Sequence, residues 1–446
     1  MKKSIVTLKL ICLSLLGIWG CSVDEESMIE SAELNKAYEK SNSYNSVIPD
    51  IMKDQVVVKF TNPNLNEVDK KLLRLQIEQS YDFKILNKEV CDCDPEGPEL
   101  WTIDTTYSNF PGIKHLVENL VTNHENNSGD EEVEVDPRAI FDYQFYIDIA
   151  DKTLSGNYSS ILENKIIPAT NSDYVNIAIV DTGIDYDYFD SPILYSTRNI
   201  FNNRFGISGW DYVNHDNDMR DDNGHGTMVA KIINSELTSN NIPHQLLSVK
   251  AFDQEGRGSY YDIVCSLNYL SKLNNIDIVN MSFGWYGLKN QKILKQIIKL
   301  MESNVLFITS AGNLGVNVDE EIPHFPSGYA IENLLGVAGY ELDAPEEVQM
   351  PDILDFISIN SSNYGSETID IAAPIDGYFY IMNKESNLSI NPIGTSFSAA
   401  YITASAGKLY DKEITSLELH QDVLRGAYNI YRLENHIHQG RVVIRE

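Results

Sequence analysis

Three short, glycine-framed segments hold an aspartate, a histidine and a serine in that order along the chain. Asp181 lies in Val180-Asp181-Thr182-Gly183, His225 in Asn223-Gly224-His225-Gly226-Thr227, and Ser396 in Gly394-Thr395-Ser396-Phe397-Ser398-Ala399-Ala400. A serine hydroxyl becomes a nucleophile when a neighbouring base takes its proton. A carboxylate behind that base fixes the imidazole tautomer and stabilises the imidazolium. The three residues are thus the parts of a nucleophilic hydrolase. Each alone has a plainer use: Asp181 as a strand end, His225 as a structural histidine, Ser396 as a helix N-cap. Their joint order and matched framing favour the chemical reading. Ser310-Ala311-Gly312-Asn313 adds a side-chain amide at Asn313, either a turn residue or a donor to a developing oxyanion.

The elements around these segments are legible. From about Tyr174, apolar runs alternate with helical patterns: Ile177 to Val180, Leu247 to Phe252, Ile276 to Phe283, Val305 to Ile308, Leu334 to Ala338 and Ile369 to Ala372. Helices are expected near His225 to Asn234, Tyr260 to Leu273 and Asn290 to Ser303, with another after Ser396. Near-continuous apolar strands separated by helices predict an α/β fold, a mostly parallel sheet covered on both faces in three α/β/α layers. Sites in such sheets form at the carboxyl ends of strands, where Asp181 and Asn313 fall. A helix beginning at Ser396 puts its hydroxyl and free N–H at the positive end of the dipole.

Ahead of this lies a smaller α+β pattern. Gln55 to Phe60 reads as a strand and Leu65 to Gln79 as a helix. Tyr81 to Leu86 and Leu100 to Ile103 read as strands, Phe110 to Val121 as a helix, and Glu132 to Phe145 as holding a last strand. That is a β-α-β-β-α-β order. The expected segmentation is 1–20 signal peptide, 21–50 polar tether, 51–150 small domain and 160–446 catalytic domain. The apolar run Leu8 to Trp19 follows Lys2 and Lys3 and is too short for an ordinary membrane span. It ends at Gly20-Cys21, which resembles a bacterial lipoprotein signal with Cys21 as the lipidated residue; an ordinary secretory signal cut near Gly20 is the alternative. Of five cysteines, Cys12 leaves with the signal, Cys91 and Cys93 form a Cys-Asp-Cys triplet, and Cys265 sits in a helical pattern. This is no disulfide framework, and Cys265 reads as a buried small hydrophobe. The net charge of −31 argues against nucleic acid or an anionic membrane surface as partner.

From residue 174 onward the motifs resemble the subtilisin-like serine proteases, the subtilases. Ile179-Val180-Asp181-Thr182-Gly183-Ile184 resembles their aspartate motif and Asn223 to Thr227 their histidine motif, with Met228 where a second histidine is common. Gly394-Thr395-Ser396 resembles their serine motif, with Ala400 where a proline is common. Asn280-Met281-Ser282-Phe283-Gly284 and Ala311-Gly312-Asn313 resemble their substrate strand and oxyanion segment. The resemblance implies that Asp181, His225 and Ser396 are catalytic and that Asn313 serves the oxyanion hole. It implies that Gly256, Arg257 and Gly258 on one side, and Ser282, Phe283 and Gly284 on the other, clamp an extended polypeptide, with Ala311 and Gly312 beside them. It places the floor of the pocket for the residue before the scissile bond in Glu320 to Ser327, where Glu320, Glu321 and His324 would favour a basic side chain.

By the same resemblance the small domain is a propeptide, chaperone and inhibitor of its own enzyme. The expected protein is an exported, lipid-anchored envelope endopeptidase made as a zymogen. Anchor and propeptide lie on one side of a processing site expected near residues 146 to 170, so cutting there would release the enzyme unless the pieces stay bound. No cofactor is expected: the stretch between His225 and Val249 lacks an obvious calcium loop, and the acidic stretch His215 to Asn223, which could still bind a cation such as calcium, reads first as a solvated loop. Two other functions compete. Asp181-Thr182-Gly183 is also the aspartic-protease triplet, but that chemistry needs two carboxylates sharing a proton and the chain has a single such triplet. A catalytically idle binding protein on the same fold is the other, although all three reactive residues are kept.

Overall fold

The computed structural model describes residues 44, 46–92, 94–107, 110, 112–118, 138–149, 174–189, 192–196, 208–289, 291–345, 348–376, 381–382, 389–390 and 393–445. The expectations for the signal, for the tether up to residue 43, for Cys21 and for Cys93 lie outside the described residues. Contacts divide the chain after Val47, and residues 48–446 form one compact unit.

The N-terminal part of this unit carries β1 (Gln55–Phe60), α1 (Glu67–Tyr81), β2 (Ile85–Cys91), β3 (Asp94–Ile103), α2 (Ile113–Glu118), β4 (Ala139–Tyr143) and β5 (Tyr146–Asp148). Four strands pair in the order β2-β3-β1-β4, with all three pairings antiparallel. The expected order of elements holds, but α1 runs on to Tyr81 and the strand after it begins at Ile85. Asn66 fixes the helix start by accepting from the N–H groups of Val68 and Asp69 at 2.9 and 3.0 Å.

The remainder follows as β6 (Val175–Asp181), β7 (Trp210–Asp211), α3 (His225–Ser239), β8 (His244–Lys250), β9 (Arg257–Ser259), α4 (Tyr260–Leu270), β10 (Ile278–Met281), β11 (Trp285–Tyr286) and α5 (Lys292–Leu300). Then come β12 (Leu306–Ser310), β13 (His324–Phe325), β14 (Leu334–Leu342), β15 (Ile357–Ser358), β16 (Ile371–Pro374), β17 (Ile381–Met382), β18 (Ser389–Ile390), α6 (Thr395–Leu409), α7 (Ser416–Arg425), β19 (Tyr428–Asn429) and β20 (Arg441–Val442). The main sheet has the order β19-β20-β16-β14-β12-β10-β6-β8-β7, parallel from β20 to β7.

Burial explains the continuous apolar strands. Ile177 and Ile179 of β6 join the core under α3 and α6, whereas Ala178 and Val180 face the core under α4 and α5. Both faces being covered removes the polar alternation of a half-exposed sheet. On one side, the small residues of α6, among them Ala399, Ala400, Ala404 and Ala406, are fully buried. On the other side, one apolar core continues from the main sheet through α4 and α5 into the N-terminal sheet, joining Leu247 and Val279 to Val264 and Leu267, and these to Val57, Trp101 and Phe141.

Candidate active site

Asp181 ends β6 at the carboxyl edge of the sheet. Its carboxylate accepts from Nδ1 of His225 at 2.8 and 3.0 Å, and Oδ1 also accepts from the N–H of Thr182 at 2.7 Å. The Asp181 side of the pair is 1% exposed and the imidazole 3%. Burial by itself would push the His225 imidazole down. The charge and hydrogen bond of Asp181, with a smaller contribution from Asp221, outweigh it and hold the ring above its ordinary value.

The glycine framing has a steric cause. A Cβ on Gly226 would stand 2.3 Å from the carbonyl oxygen of Gly183 and 3.1 Å from the Asp181 side chain, so only glycine lets α3 start this close to β6. Two threonines lock the approach: Thr182 Oγ1 accepts from the N–H of Gly226 at 2.9 Å, and Thr227 Oγ1 accepts from that of Asp185 at 2.9 Å. Asp221 completes the helix start. Its Oδ1 accepts from the N–H groups of Asn223 and Gly224 at 3.0 and 2.7 Å, and its Oδ2 accepts from the Thr227 N–H and hydroxyl at 2.8 and 2.6 Å.

Ser396 lies in the first turn of α6, where its N–H has no intrahelical acceptor. Its hydroxyl donates to the carbonyl of Ser282 at 3.1 Å. The Ser282 hydroxyl in turn sits 2.9 Å from the Ser396 carbonyl and 2.9 Å from Asn280 Oδ1. This two-way link ties the end of β10 to the start of α6. The His225 ring packs against Phe397, the residue after Ser396, with centroids 5.5 Å apart. Asp181 and His225 are therefore already coupled, whereas the Ser396 hydroxyl is turned to Ser282. Such a nucleophile–base contact often closes only when substrate is bound.

Asn313 follows the carboxyl end of β12, and its side chain is oriented by α6. Its Oδ1 accepts from the N–H of Thr395 at 2.9 Å, leaving Nδ2 as the free donor. Thr395 Oγ1 accepts from the N–H of Gly312 at 3.1 Å. Asn363 braces the same loop from behind, donating to the Ala311 carbonyl at 2.8 Å and accepting from the N–H of Leu314 at 3.0 Å. Asn313→Ala is expected to lower kcat about 10²–10³-fold, or about 3–4 kcal/mol, a magnitude borrowed from subtilisin, with little change in KM. Steady-state hydrolysis of a fluorogenic peptide checks it; an unchanged kcat contradicts the oxyanion role.

The edge Gly256-Arg257-Gly258 is occupied by the chain itself. β5 pairs antiparallel with β9, setting Tyr146 opposite Ser259, Ile147 opposite Gly258 and Asp148 opposite Arg257. The ladder extends from Tyr260 N–H to the Phe145 carbonyl at 2.9 Å and from Ile149 N–H to the Gly256 carbonyl at 2.9 Å. A Cβ on Gly258 would lie 2.5 Å from the Ala251 carbonyl and 2.7 Å from the Phe252 ring, so glycine is what fits between them. Ile147 is 2% exposed, and the Arg257 guanidinium lies over the Tyr146 ring, 4.1 Å from its centroid.

Three readings need correction. Cys265 is no lone hydrophobe: it forms a disulfide with Cys91 across 174 residues of sequence. The Glu320–Ser327 segment departs from the expected charged floor at its histidine; Glu320 is exposed and Glu321, half-buried, accepts from the Asn317 N–H at 3.2 Å. His324 is buried, bonded through Nδ1 to Ser327 Oγ at 2.8 Å, and pushed down by burial to about 3. The acidic stretch His215 to Asn223 is bound up rather than merely solvated. Asp221 holds the start of α3, Asp222 pairs with Lys250 at 2.7 Å, Asp218 pairs with Arg220, and His215 pairs with Asp92 at 3.0 Å. Asp221 and Asn363 are positioning residues absent from the sequence-based expectations, and Ser282, expected on the substrate edge, also ties β10 to α6 through its hydroxyl; the Asp-Asp-Asn-Gly turn before His225 was the available signal for the first.

Residues 172–429 match the Subtilase family, Peptidase_S8. A thermophilic serine proteinase of Bacillus sp. strain AK1 is 26% identical over 274 residues, 60% of this chain and 59% of that protein. The minor extracellular protease Epr of Bacillus subtilis is 31% identical over 162 residues, 35% of this chain and 22% of its own length. This chain thus spans less than two thirds of either relative. The crystal structure of a cold adapted subtilisin-like serine proteinase aligns at a TM-score of 0.44 and 20% identity, over 67% of this chain and 95% of that one. The family match takes in more than half of the chain and includes the segments of Asp181, His225, Asn313 and Ser396, and the chain belongs to the subtilase family.

Proposed function

We propose that this protein is a serine endopeptidase made as a zymogen, with Ser396 as nucleophile, His225 as general base and then acid, Asp181 as the group that orients His225, and Asn313 with the Ser396 N–H as oxyanion donors. The observation that carries this reading is the buried Asp181–His225 pair facing the first turn of α6, with the Asn313 amide oriented by Thr395. The substrate is an extended polypeptide held by strand addition on β9. The place of β5 on that edge supports reading residues 51–150 as an inhibitory propeptide. The Cys91–Cys265 disulfide suits an oxidising compartment and so supports export. Lipidation of Cys21 and residence in the cell envelope rest on the signal-like N-terminal sequence.

Space near the cleft favours a small residue before the scissile bond. A Cβ on Gly284 would stand 2.2 Å from His324 Cε1, and one on Gly312 would stand 2.5 Å from the Tyr286 hydroxyl. His324, in the segment where the family resemblance places the floor of that pocket, is buried, and Tyr286 packs on it with centroids 4.8 Å apart. Along the chain, Ala150 follows directly on the paired stretch Tyr146 to Ile149. The expected self-processing cut is therefore Ala150–Asp151. Intact mass and N-terminal sequencing of the purified protein beside Ser396→Ala test this. A new N-terminus at Asp151 in the active protein alone is expected, whereas a cut after Lys152 or Lys165 contradicts the small pocket.

A further inference from the structure

The N-terminal sheet is joined to the catalytic fold twice. One link is the peptide chain between Ile149 and Val175. The other is the disulfide between Cys91, at the end of β2, and Cys265, inside α4. Both half-cystines are 1% exposed, so the bridge is built into the packed boundary between the two parts rather than added at the surface.

The polar contacts around the bridge fit one docked arrangement. Asp92 accepts from Trp210 Nε1 at 3.0 Å and pairs with His215 at 3.0 Å. Asp94 accepts from Asn268 Nδ2 at 3.0 Å and pairs with Lys272 at 3.1 Å. Further along the boundary, Asp142 of β4 does the work of an N-cap for α5: its carboxylate accepts from the N–H groups of Lys292 and Ile293 at 2.8 and 2.7 Å and from the Tyr260 hydroxyl at 2.6 Å. Phe145 stacks on Tyr260 with centroids 5.1 Å apart, and from there β5 enters the substrate edge.

We infer that the N-terminal domain stays covalently attached to the enzyme after processing, as a disulfide-linked inhibitory subunit, and that reduction of Cys91–Cys265 controls its departure. This rests on the peptidase reading above. Cutting a peptide bond in the chain between Ile149 and Val175 leaves the bridge intact, so rebinding of β5 remains intramolecular. Its effective concentration is then roughly millimolar, as for a short tether. The anchor expected at Cys21 stays with the enzyme by the same bridge, against the release that the linear layout alone implies. Opening the bridge needs a dithiol: its two thiols supply two electrons and two protons, Cys91 and Cys265 become thiols, and the dithiol closes to its own disulfide. The freed domain is then held by non-covalent contacts alone.

The test uses the full processed chain. On denaturing gels the two pieces are expected to run as one species without reductant and as two with dithiothreitol. Dithiothreitol should also raise turnover of a fluorogenic peptide roughly 10-fold or more, since loss of a link forfeits avidity of about 10²–10⁴. The double variant Cys91→Ser with Cys265→Ser should turn over peptide without reductant and show no response to it. Two separate pieces without reductant, or free thiols at Cys91 and Cys265 by mass mapping, overturn the inference. So does a wild type whose processed form is indifferent to dithiothreitol. Non-reducing peptide mapping of Ser396→Ala separates the two readings. A linked Cys91–Cys265 peptide without any peptidase activity in the wild type sinks the peptidase and its regulation but keeps the bridge; self-cleavage with both thiols free does the reverse.

Discussion

Ser396→Ala is expected to lower kcat for peptide hydrolysis about 10⁶-fold, the size known for loss of the serine in subtilisin. Alanine suits the first turn of α6, so the helix and the Thr395 contacts to Gly312 and Asn313 persist. What goes is the Ser396 hydroxyl, now donated to the Ser282 carbonyl, in the turn whose Phe397 packs on His225. His225→Ala should cost a similar amount, and the double variant little more, because nucleophile and base act as a unit. Hydrolysis of a fluorogenic peptide by each variant measures this. Additive losses in the double variant would mean that the two residues serve separate functions. In the same Ser396→Ala protein the self-processing cut should be missing.

The second large effect is at Asp181. Asp181→Asn is expected to lower kcat about 10⁴-fold, since an amide supports the wrong imidazole tautomer and leaves the imidazolium unstabilised. It should also change the pH profile in a definite direction. Burial alone would lower the His225 value; the Asp181 charge and hydrogen bond reverse that and raise it. His225 must be neutral to act as base, so wild-type activity is lost on the acid side as the ring takes up a proton, at a pH above that of an ordinary imidazole. Without the Asp181 charge, burial prevails, and the acid limb of residual kcat/KM should move to lower pH. A limb that stays where it was would show that Asp181 does not set the His225 ionisation.

Much of this was legible along the chain because it is local. Gly226 frames His225 for a steric reason and Gly224 through its φ of 111°, and the apolar runs of β6, β10 and β12 are the mark of a sheet buried on both faces. Misreadings and omissions fell where distant segments decide. Cys91 and Cys265 pair only because β3, next to β2 in the N-terminal sheet, packs on α4, which no local pattern reveals. Asp142 looks like an ordinary strand residue until α5 is placed on it. The three residues of β5 carry no periodicity of their own and become a strand through their partner β9. His324 sits in a segment whose charged neighbours suggested a basic specificity, yet burial against Gly284 makes it part of the wall.

The central claim, that Ser396 is the nucleophile of a peptidase, is tested most directly by fluorophosphonate labelling of the processed protein followed by mass mapping of the modified residue. A single phosphonylated residue, Ser396, with no label in Ser396→Ala or in heat-denatured protein, is the outcome the geometry predicts. Label on another serine, or label that persists in Ser396→Ala, contradicts it.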